Sequence, residues 1–191
     1  PREQEEYISK VKSGLEEIGK LESIIDQLLA LARFQKEALD IHEIDLGSIV
    51  QEVLESIFNS GGRQVSFQSQ LEYPLYVLSN EKSVFIILTN LLQNSLKYSK
   101  ENTEVSVSIW RENSKTYLEV RDRGIGIEKD AQSQIFNPFF RENSPELGKI
   151  QGSGLGLSIV KKLCDHLGIT ISLQSEKGQG TAVQLVFPDI N

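Results

Sequence analysis

Three polar side chains interrupt an otherwise apolar stretch and could together bind a phosphorylated ligand. Asn90, Asn94 and Lys97 are separated by four and then three residues, so they share one face of a helix. Carboxamide oxygens are suitable ligands for Mg²⁺, and a lysine ammonium suits a phosphate. The same spacing is typical of the solvated face of an ordinary helix, so the stripe alone leaves both interpretations open.

An aspartate followed by two glycines forms a second candidate group. Asp122 comes directly after a predicted strand and precedes Gly124 and Gly126. A carboxylate at a strand end could accept a hydrogen bond from an adenine amino group, and glycines let a ligand approach the backbone closely. An ordinary aspartate-containing turn explains the pattern as well.

A third candidate is the glycine-rich segment 152–157, which leads directly into a predicted helix. Glycines before a helix N-terminus present backbone N–H groups and the positive end of the helix dipole to a phosphate. The Gly-x-Gly-x-Gly spacing fits neither the Rossmann fingerprint nor the lysine-containing P-loop. A flexible loop would also be rich in glycine, so this segment is weak evidence by itself.

The elements that must position these groups are short helices and strands. Helices are predicted from Leu46 to Asn59, behind a capping Asp45, and over residues 83–98 and 157–167. Strands are predicted over residues 65–70, 75–78, 105–110, 117–120, 169–174 and 181–187. This order predicts an antiparallel or mixed sheet with helices on one face.

The N-terminal segment 5–35 reads as one long helix. Its apolar residues recur at steps of three and four, with one interruption at Glu22, which is a heptad-like pattern. The helix could pack on its own domain or form half of a helical hairpin in a dimeric bundle. We therefore expect two domains, residues 1–38 and residues 39–191.

Composition excludes several classes of protein. A net charge of −7 argues against a nucleic-acid partner. The single cysteine, Cys164, excludes an internal disulfide, indicates a reducing compartment, and is expected to be a small buried hydrophobe. The sequence has no run of about 20 apolar residues, so we expect no membrane contact. It begins with Pro1 and contains no methionine, which indicates a piece of a longer protein.

Five motifs, taken in this order, resemble the catalytic domain of histidine kinases, within the wider family that includes gyrase-type and chaperone ATPases. Residues 89–98 resemble the asparagine box, 122–127 the first glycine box, 135–141 the phenylalanine box, 152–157 the second glycine box, and 178–181 the terminal Gly-x-Gly-Thr motif. The resemblance covers nearly the whole chain. It implies an α+β fold, namely a two-layer α/β sandwich whose mixed, mostly antiparallel sheet is covered by helices on one face.

The resemblance also implies a role for each motif. Asn90 and Asn94 would hold Mg²⁺ on the ATP phosphates, Lys97 and Arg141 would contact those phosphates, and Asp122 would read the adenine. The remaining ATP contacts would come from Tyr98, Gly124, Gly126, Ile127, Phe140, Gly152, Ser153, Gly154, Leu155, Gly156, Leu157 and Thr181. Residues 141–151 would form a mobile lid over the nucleotide.

Asn90 also bears on the type of reaction. Gyrase-like relatives carry a glutamate at this position, four residues before the metal asparagine, where it activates water. An asparagine cannot act as a general base, so the resemblance favours transfer of the γ-phosphoryl group to a protein histidine over ATP hydrolysis. A gyrase-like ATPase or serine kinase and a non-catalytic interaction module remain the alternatives.

The phosphoacceptor histidine is expected outside this sequence. The N-terminal helix resembles the second helix of a kinase dimerisation hairpin, and the acceptor belongs on the first helix, upstream of Pro1. His42 lies after that helix without the expected Thr-Pro, and His166 lies near a predicted helix end. The resemblance implies a homodimer, a response-regulator partner and a cytoplasmic location, and leaves membrane anchoring of the intact protein open.

Overall fold

Residue contacts divide the chain into two units, Pro1–Ala38 and Leu39–Asn191. The computed structural model describes residues 7, 10–11, 14, 40–59, 65–69, 74–100, 102–142 and 152–189. In the first unit Tyr7, Lys10, Val11 and Gly14 are helical. The rest of the helix predicted over residues 5–35 lies outside the described residues.

The described part of the second unit contains four helices and seven strands. The helices are α1 (Leu46–Asn59), α2 (Glu81–Tyr98), α3 (Lys129–Gln132) and α4 (Gly156–Leu167). The strands are β1 (His42–Asp45), β2 (Ser66–Ser69), β3 (Tyr76–Ser79), β4 (Val105–Glu112), β5 (Lys115–Asp122), β6 (Thr170–Glu176) and β7 (Gly180–Phe187). All three helices predicted for this unit therefore form, and the short helix α3 was not predicted.

Five strands make one sheet in the order β2-β4-β5-β7-β6. β2 runs parallel to β4, and the other neighbours are antiparallel, which confirms a mixed, mostly antiparallel sheet. β1 and β3 form a separate antiparallel pair. The sequence missed β1, and it did not indicate that β2 and β3 belong to different sheets.

The β4–β5 hairpin turns through two residues with left-handed backbone. Asn113 has φ 49° and Ser114 has φ 65°, the pattern of a type I′ turn, whose twist matches that of the flanking strands. Asparagine tolerates positive φ better than most residues. The turn fixes the register from Val105 opposite Asp122 to Glu112 opposite Lys115, and so determines where β5 delivers Asp122.

Helix α2 is the central element that carries the polar stripe. Asn80 caps it, because the Asn80 side chain accepts a 3.0 Å hydrogen bond from the Ser83 backbone N–H. α2 packs against α1 and α4 and against strands β4 and β5. Its buried apolar side chains are Val84, Ile87, Leu88, Leu91 and Leu92, and they meet a sheet core of Val105, Val107, Ile109, Leu118, Val120, Leu185 and Phe187.

Cys164 on α4 is fully buried, as the sequence predicts. Burial, followed by the charge of Asp165, raises the pKa of the thiol to about 12. A thiol held neutral in this way is inert as a nucleophile. Separately, no helix within the described part of the chain combines the length and hydropathy that crossing a membrane requires.

Candidate functional site

The two asparagines of the α2 stripe meet the first residue of α4. Asn90 donates a 2.8 Å hydrogen bond from Nδ2 to the Ile86 carbonyl, which directs its Oδ1 away from the helix. A Cβ added to Gly156 would lie 2.7 Å from that Oδ1 and 3.8 Å from Nδ2 of Asn94. Both carboxamides therefore lie together at the start of α4, and the lack of a side chain at Gly156 leaves room for them.

The N-terminus of α4 suits an anion. Its N-cap residue, Leu155, makes no side-chain capping hydrogen bond, and the first turn contains no acidic residue. The N–H groups of that turn and the positive end of the helix dipole are thus available to a negatively charged ligand. The Leu155 side chain is fully buried and its N–H donates a 3.2 Å hydrogen bond to Oγ of Ser153, so an anion would contact the N–H groups that follow it.

Two cationic side chains gather at Gly152. The Lys97 ammonium lies against Gly152, so closely that a side chain there would collide with it. Arg141 donates a 3.2 Å hydrogen bond from Nη1 to the Gly152 carbonyl. Burial, and then the charge of Arg141, lower the pKa of Lys97. An anion bound between these groups would relieve their repulsion, which is what a phosphate site requires.

The C-terminal end of α2 anchors the first glycine box. The Ile125 backbone N–H donates a 3.1 Å hydrogen bond to the Tyr98 carbonyl, and Ser99 and Gly124 form an isolated antiparallel bridge. A Cβ at Gly124 would collide with the Tyr98 carbonyl and would lie 2.8 Å from Oδ1 of Asp122. Glycine is therefore required at position 124 for the loop to approach the helix.

Asp122 is a buried hydrogen-bond acceptor at the end of β5. Its residue surface is only 7% exposed, and its Oδ1 accepts hydrogen bonds from the backbone N–H groups of Gly124 at 2.8 Å and Thr181 at 3.2 Å. Burial raises the pKa of this carboxyl, while hydrogen bonds from Gly124, Ser95 and Thr181 act in the opposite direction. Such a carboxyl is suited to reading a donor on a ligand that enters beside α2.

The first glycine box also contacts the β6–β7 turn, which carries the terminal Gly-x-Gly-Thr motif. Gly178 donates a 2.7 Å hydrogen bond from its N–H to the Ile125 carbonyl. Gly126 has φ 63° and lies directly against the Glu176 carbonyl. The Ile127 N–H donates a 2.9 Å hydrogen bond to Oγ of Ser175. Two motifs far apart in sequence thus form one continuous wall.

The phenylalanine box contacts the second glycine box. Phe139 donates from its N–H to the Gly154 carbonyl at 3.0 Å. Phe139 has φ 64°, Gly154 has φ 73°, and the Phe139 side chain is 64% exposed. Phe140 is half-buried. Residues 143–151 of the lid predicted over 141–151 lie outside the described residues.

The structure thus joins the five motifs around the C-terminal half of α2. It also contains polar residues that the sequence did not single out. These are Ser95, Gln132, Glu142, Ser175 and Lys177. Ser95 could have been found from its place directly after Asn94, because a serine on the buried side of an apolar helix needs a partner. The role of Ser175 depends on strand pairing and has no local signal.

Comparison with known proteins gives the family. Residues 79–191 match the family of histidine kinase-, DNA gyrase B-, and HSP90-like ATPases. The sensor histidine kinase YkoH of Bacillus subtilis is 35% identical over the whole chain, which spans 41% of that relative. The chain likewise spans 46% of the sensor-like histidine kinase SenX3 of Mycolicibacterium smegmatis, at 32% identity, so it covers less than half of these relatives.

Among solved structures, full-length ShkA in complex with AMPPNP is 25% identical, with a TM-score of 0.74 over 93% of this chain and 38% of that one. The fold and the matched residues agree. The chain belongs to the family of histidine kinase-, DNA gyrase B- and HSP90-like ATPases.

Proposed function

We propose that residues 39–191 are the catalytic, ATP-binding domain of a two-component sensor histidine kinase. The reaction is transfer of the γ-phosphoryl group of ATP to a histidine that these 191 residues do not include. The observation that carries the proposal is the convergence of three motifs on α2. Asn90 and Asn94 meet Gly156, and Lys97 meets Gly152. Asp122 ends β5, and the loop that follows it is bonded to the end of the helix.

The nucleotide lies along α2 in this proposal. Asp122 accepts a hydrogen bond from the adenine amino group, with Gly124, Gly126 and Thr181 shaping the pocket around it. Lys97, Arg141 and the N–H groups at the start of α4 bind the phosphates. ShkA, which binds the ATP analogue AMPPNP in its solved structure, supports a nucleotide as the ligand of this fold.

The two carboxamides at Gly156 fit a magnesium ion. Mg²⁺ prefers hard oxygen ligands and usually binds through a few protein oxygens together with substrate phosphates. Asn90 and Asn94 would hold it beside the anion site at the start of α4. An ion held there would supply positive charge to offset that of the phosphates.

Asn90 favours phosphoryl transfer to a protein over hydrolysis. Its Nδ2 is engaged with the Ile86 carbonyl, and an amide oxygen cannot take a proton from water at neutral pH. Phosphoryl transfer depends mainly on positioning and charge neutralisation, which Lys97, Arg141 and the α4 N-terminus supply. ATP would therefore persist until the acceptor histidine arrives.

Neither histidine of this chain lies on a hairpin helix, where the acceptor is expected. His42 lies on β1 with Nδ1 3.8 Å from the Asp40 carboxylate, and His166 lies in the last turn of α4, before the left-handed Gly168 cap. We infer that the acceptor lies on a helix that pairs with the first unit to form the dimerisation hairpin. Tyr7 and Val11, four residues apart on a helix, are 73% and 58% exposed, which leaves both side chains accessible to such a helix.

The further partners follow from this assignment. A homodimer forms through the hairpin, and an aspartate of a response-regulator receiver domain takes the phosphoryl group from the histidine. The domain acts in the cytoplasm, where ATP is available. Nucleic acid is not a partner, because the charge balance is acidic.

Calorimetric titration with ATP, with and without Mg²⁺, tests the nucleotide site. We expect binding that weakens by about tenfold or more when EDTA removes Mg²⁺. Asn94→Ala should abolish that Mg²⁺ dependence, because it removes a metal ligand beside Gly156. Gln93→Ala, on the exposed side of the same helix, is the matched control and should behave like the wild type. A folded wild-type protein that binds no ATP would favour the interaction-module alternative.

A phosphorylation assay tests the reaction. With γ-labelled ATP, these 191 residues alone should form no phosphohistidine, and they should hydrolyse ATP only slowly, because Asn90 cannot activate water. Addition of the intact protein's hairpin should yield acid-labile label on its histidine. Rapid ATP hydrolysis without any acceptor would instead support the ATPase alternative, and label on His42 or His166 would contradict the assignment of the acceptor.

A further inference from the structure

Ser175 on β6 is the centre of a hydrogen-bond network that joins three segments of the site. Its Oγ accepts from the Ile127 N–H at 2.9 Å, lies 3.0 Å from the Gly180 carbonyl oxygen and lies 2.9 Å from Oγ1 of Thr181. Its backbone carbonyl accepts from Nε2 of Gln132 at 2.9 Å. The Ser175 side chain therefore joins the first glycine box to the terminal motif, and its backbone carbonyl adds helix α3.

The positions of the hydroxyl protons follow from donor and acceptor chemistry. A serine hydroxyl has one proton to donate and two lone pairs that accept. The Gly180 carbonyl can only accept, so at 3.0 Å it must receive the Ser175 proton. The Ile127 N–H occupies one Ser175 lone pair. The Thr181 hydroxyl, 2.9 Å away, must then donate its only proton to the second Ser175 lone pair.

This leaves Thr181 as an acceptor toward any ligand. Thr181 pairs directly with Asp122 in the β5–β7 register, so the two side chains lie on the same face of the sheet. The Thr181 N–H is also bonded to Oδ1 of Asp122. An ionised carboxylate is an acceptor as well. Asp122 and Thr181 are therefore both acceptors, so a ligand that binds them must supply hydrogen-bond donors.

We propose that Ser175 is a specificity-determining residue, which selects an adenine over a 6-oxopurine by holding the Thr181 hydroxyl in the acceptor orientation. Adenine carries an amino donor at position 6, whereas guanine and hypoxanthine carry a carbonyl acceptor there. Such a carbonyl, or a water bound to it, would face two further acceptors, Asp122 and Thr181, and no proton would be available to form a hydrogen bond between them. The inference rests on the proposed nucleotide-binding function and assigns Ser175 a positioning role, without contact to the ligand.

The test compares the affinities for ATP and inosine triphosphate (ITP), measured by calorimetry with Mg²⁺. The wild type should prefer ATP. Ser175→Ala should reduce the ratio of the two affinities by roughly three- to tenfold, because the freed Thr181 proton can turn toward the carbonyl of ITP. Ser175→Thr keeps the hydroxyl and should keep the ratio. Ser175→Cys keeps the volume but bonds weakly, and it should resemble Ser175→Ala.

A Thr181→Val background separates this role from a purely structural one. Valine has no hydroxyl for Ser175 to orient, so adding Ser175→Ala should change the ratio no further. A ratio unchanged in Ser175→Ala and Ser175→Cys, with thermal unfolding showing both folded, would overturn the inference. So would an equal loss in the Thr181→Val background. A wild type that binds neither nucleotide would contradict the proposed function, whereas these outcomes contradict only the role of Ser175.

Discussion

Asp122→Asn should greatly weaken ATP binding while leaving the fold intact. Asparagine has the same shape, and its Oδ1 can still accept from Gly124 and Thr181. Its Nδ2, however, would present a donor where the adenine amino group also brings a donor. Loss of a charge-assisted hydrogen bond and the unfavourable contact together should weaken binding by at least about a hundredfold.

The pH dependence gives a second measure of the same group. Burial raises the pKa of Asp122 above its ordinary 3.8, so ATP affinity should fall on acidification as the pH drops through that raised value. Protonation of Asp122 has the opposite effect on the stability of the fold. A raised pKa means that the folded state prefers the neutral carboxyl, so its contribution to the free energy of unfolding is present below the ordinary value and lost as the pH rises through the raised one.

Asp122→Asn removes the cost of burying a charged carboxylate. The thermal unfolding temperature of this variant at pH 7 should therefore be no lower than that of the wild type. Asp130→Asn is the matched control, because Asp130 is exposed on α3, and it should bind ATP like the wild type at every pH. Retained ATP affinity in Asp122→Asn would show that this carboxylate does not read the base.

Gly126→Ala should be among the most destabilising single substitutions in the site. Gly126 has φ 63°, and an added Cβ would fall on the Glu176 carbonyl, which belongs to backbone and cannot rotate away. The loop would have to leave the β6–β7 turn and break the 2.7 Å hydrogen bond from Gly178 to Ile125. We expect a loss of about 3 kcal/mol or more in the free energy of unfolding, measured by urea denaturation.

Gly178→Ala is the matched control for this prediction. Gly178 also has a left-handed backbone, with φ 80°, but no atom lies within 4 Å of an added Cβ. It should therefore cost only the conformational strain, about 1 kcal/mol. Equal losses in the two variants would mean that backbone conformation, and not close approach to β6, explains the glycine at position 126.

Local signals predicted the elements whose sequence pattern lies within one continuous stretch of chain. Asn113 before Ser114, between alternating segments, indicated the β4–β5 hairpin, and apolar periodicity gave α2. β1 was not predicted because it is four residues long and only its residue Ile44 is buried. The parallel pairing of β2 with β4 joins segments separated by β3 and α2, and no pattern within either strand encodes it.

The residues of the candidate site likewise divide into those with a local sequence signal and those without one. The sequence singled out Asn94, Lys97, Asp122 and the glycines as candidates, because their chemistry and spacing form motifs. Ser175 was not, because a serine in a strand is ordinary until its partner across the sheet is known. The Asn90 orientation also needed the structure, since the bond to Ile86 uses Nδ2 and leaves Oδ1 for the site.

The position of β7 in the sheet has a consequence for biosynthesis. A ribosome makes β7 after the other six described strands, yet β7 lies between β5 and β6 and pairs Thr181 with Asp122. A nascent chain that lacks β7 has no partner for β6 and lacks the Thr181 backbone N–H that bonds to Asp122. Premature termination before residue 180 should therefore yield a product that exposes two strand edges, cannot be rescued by nucleotide and is removed by cellular proteases.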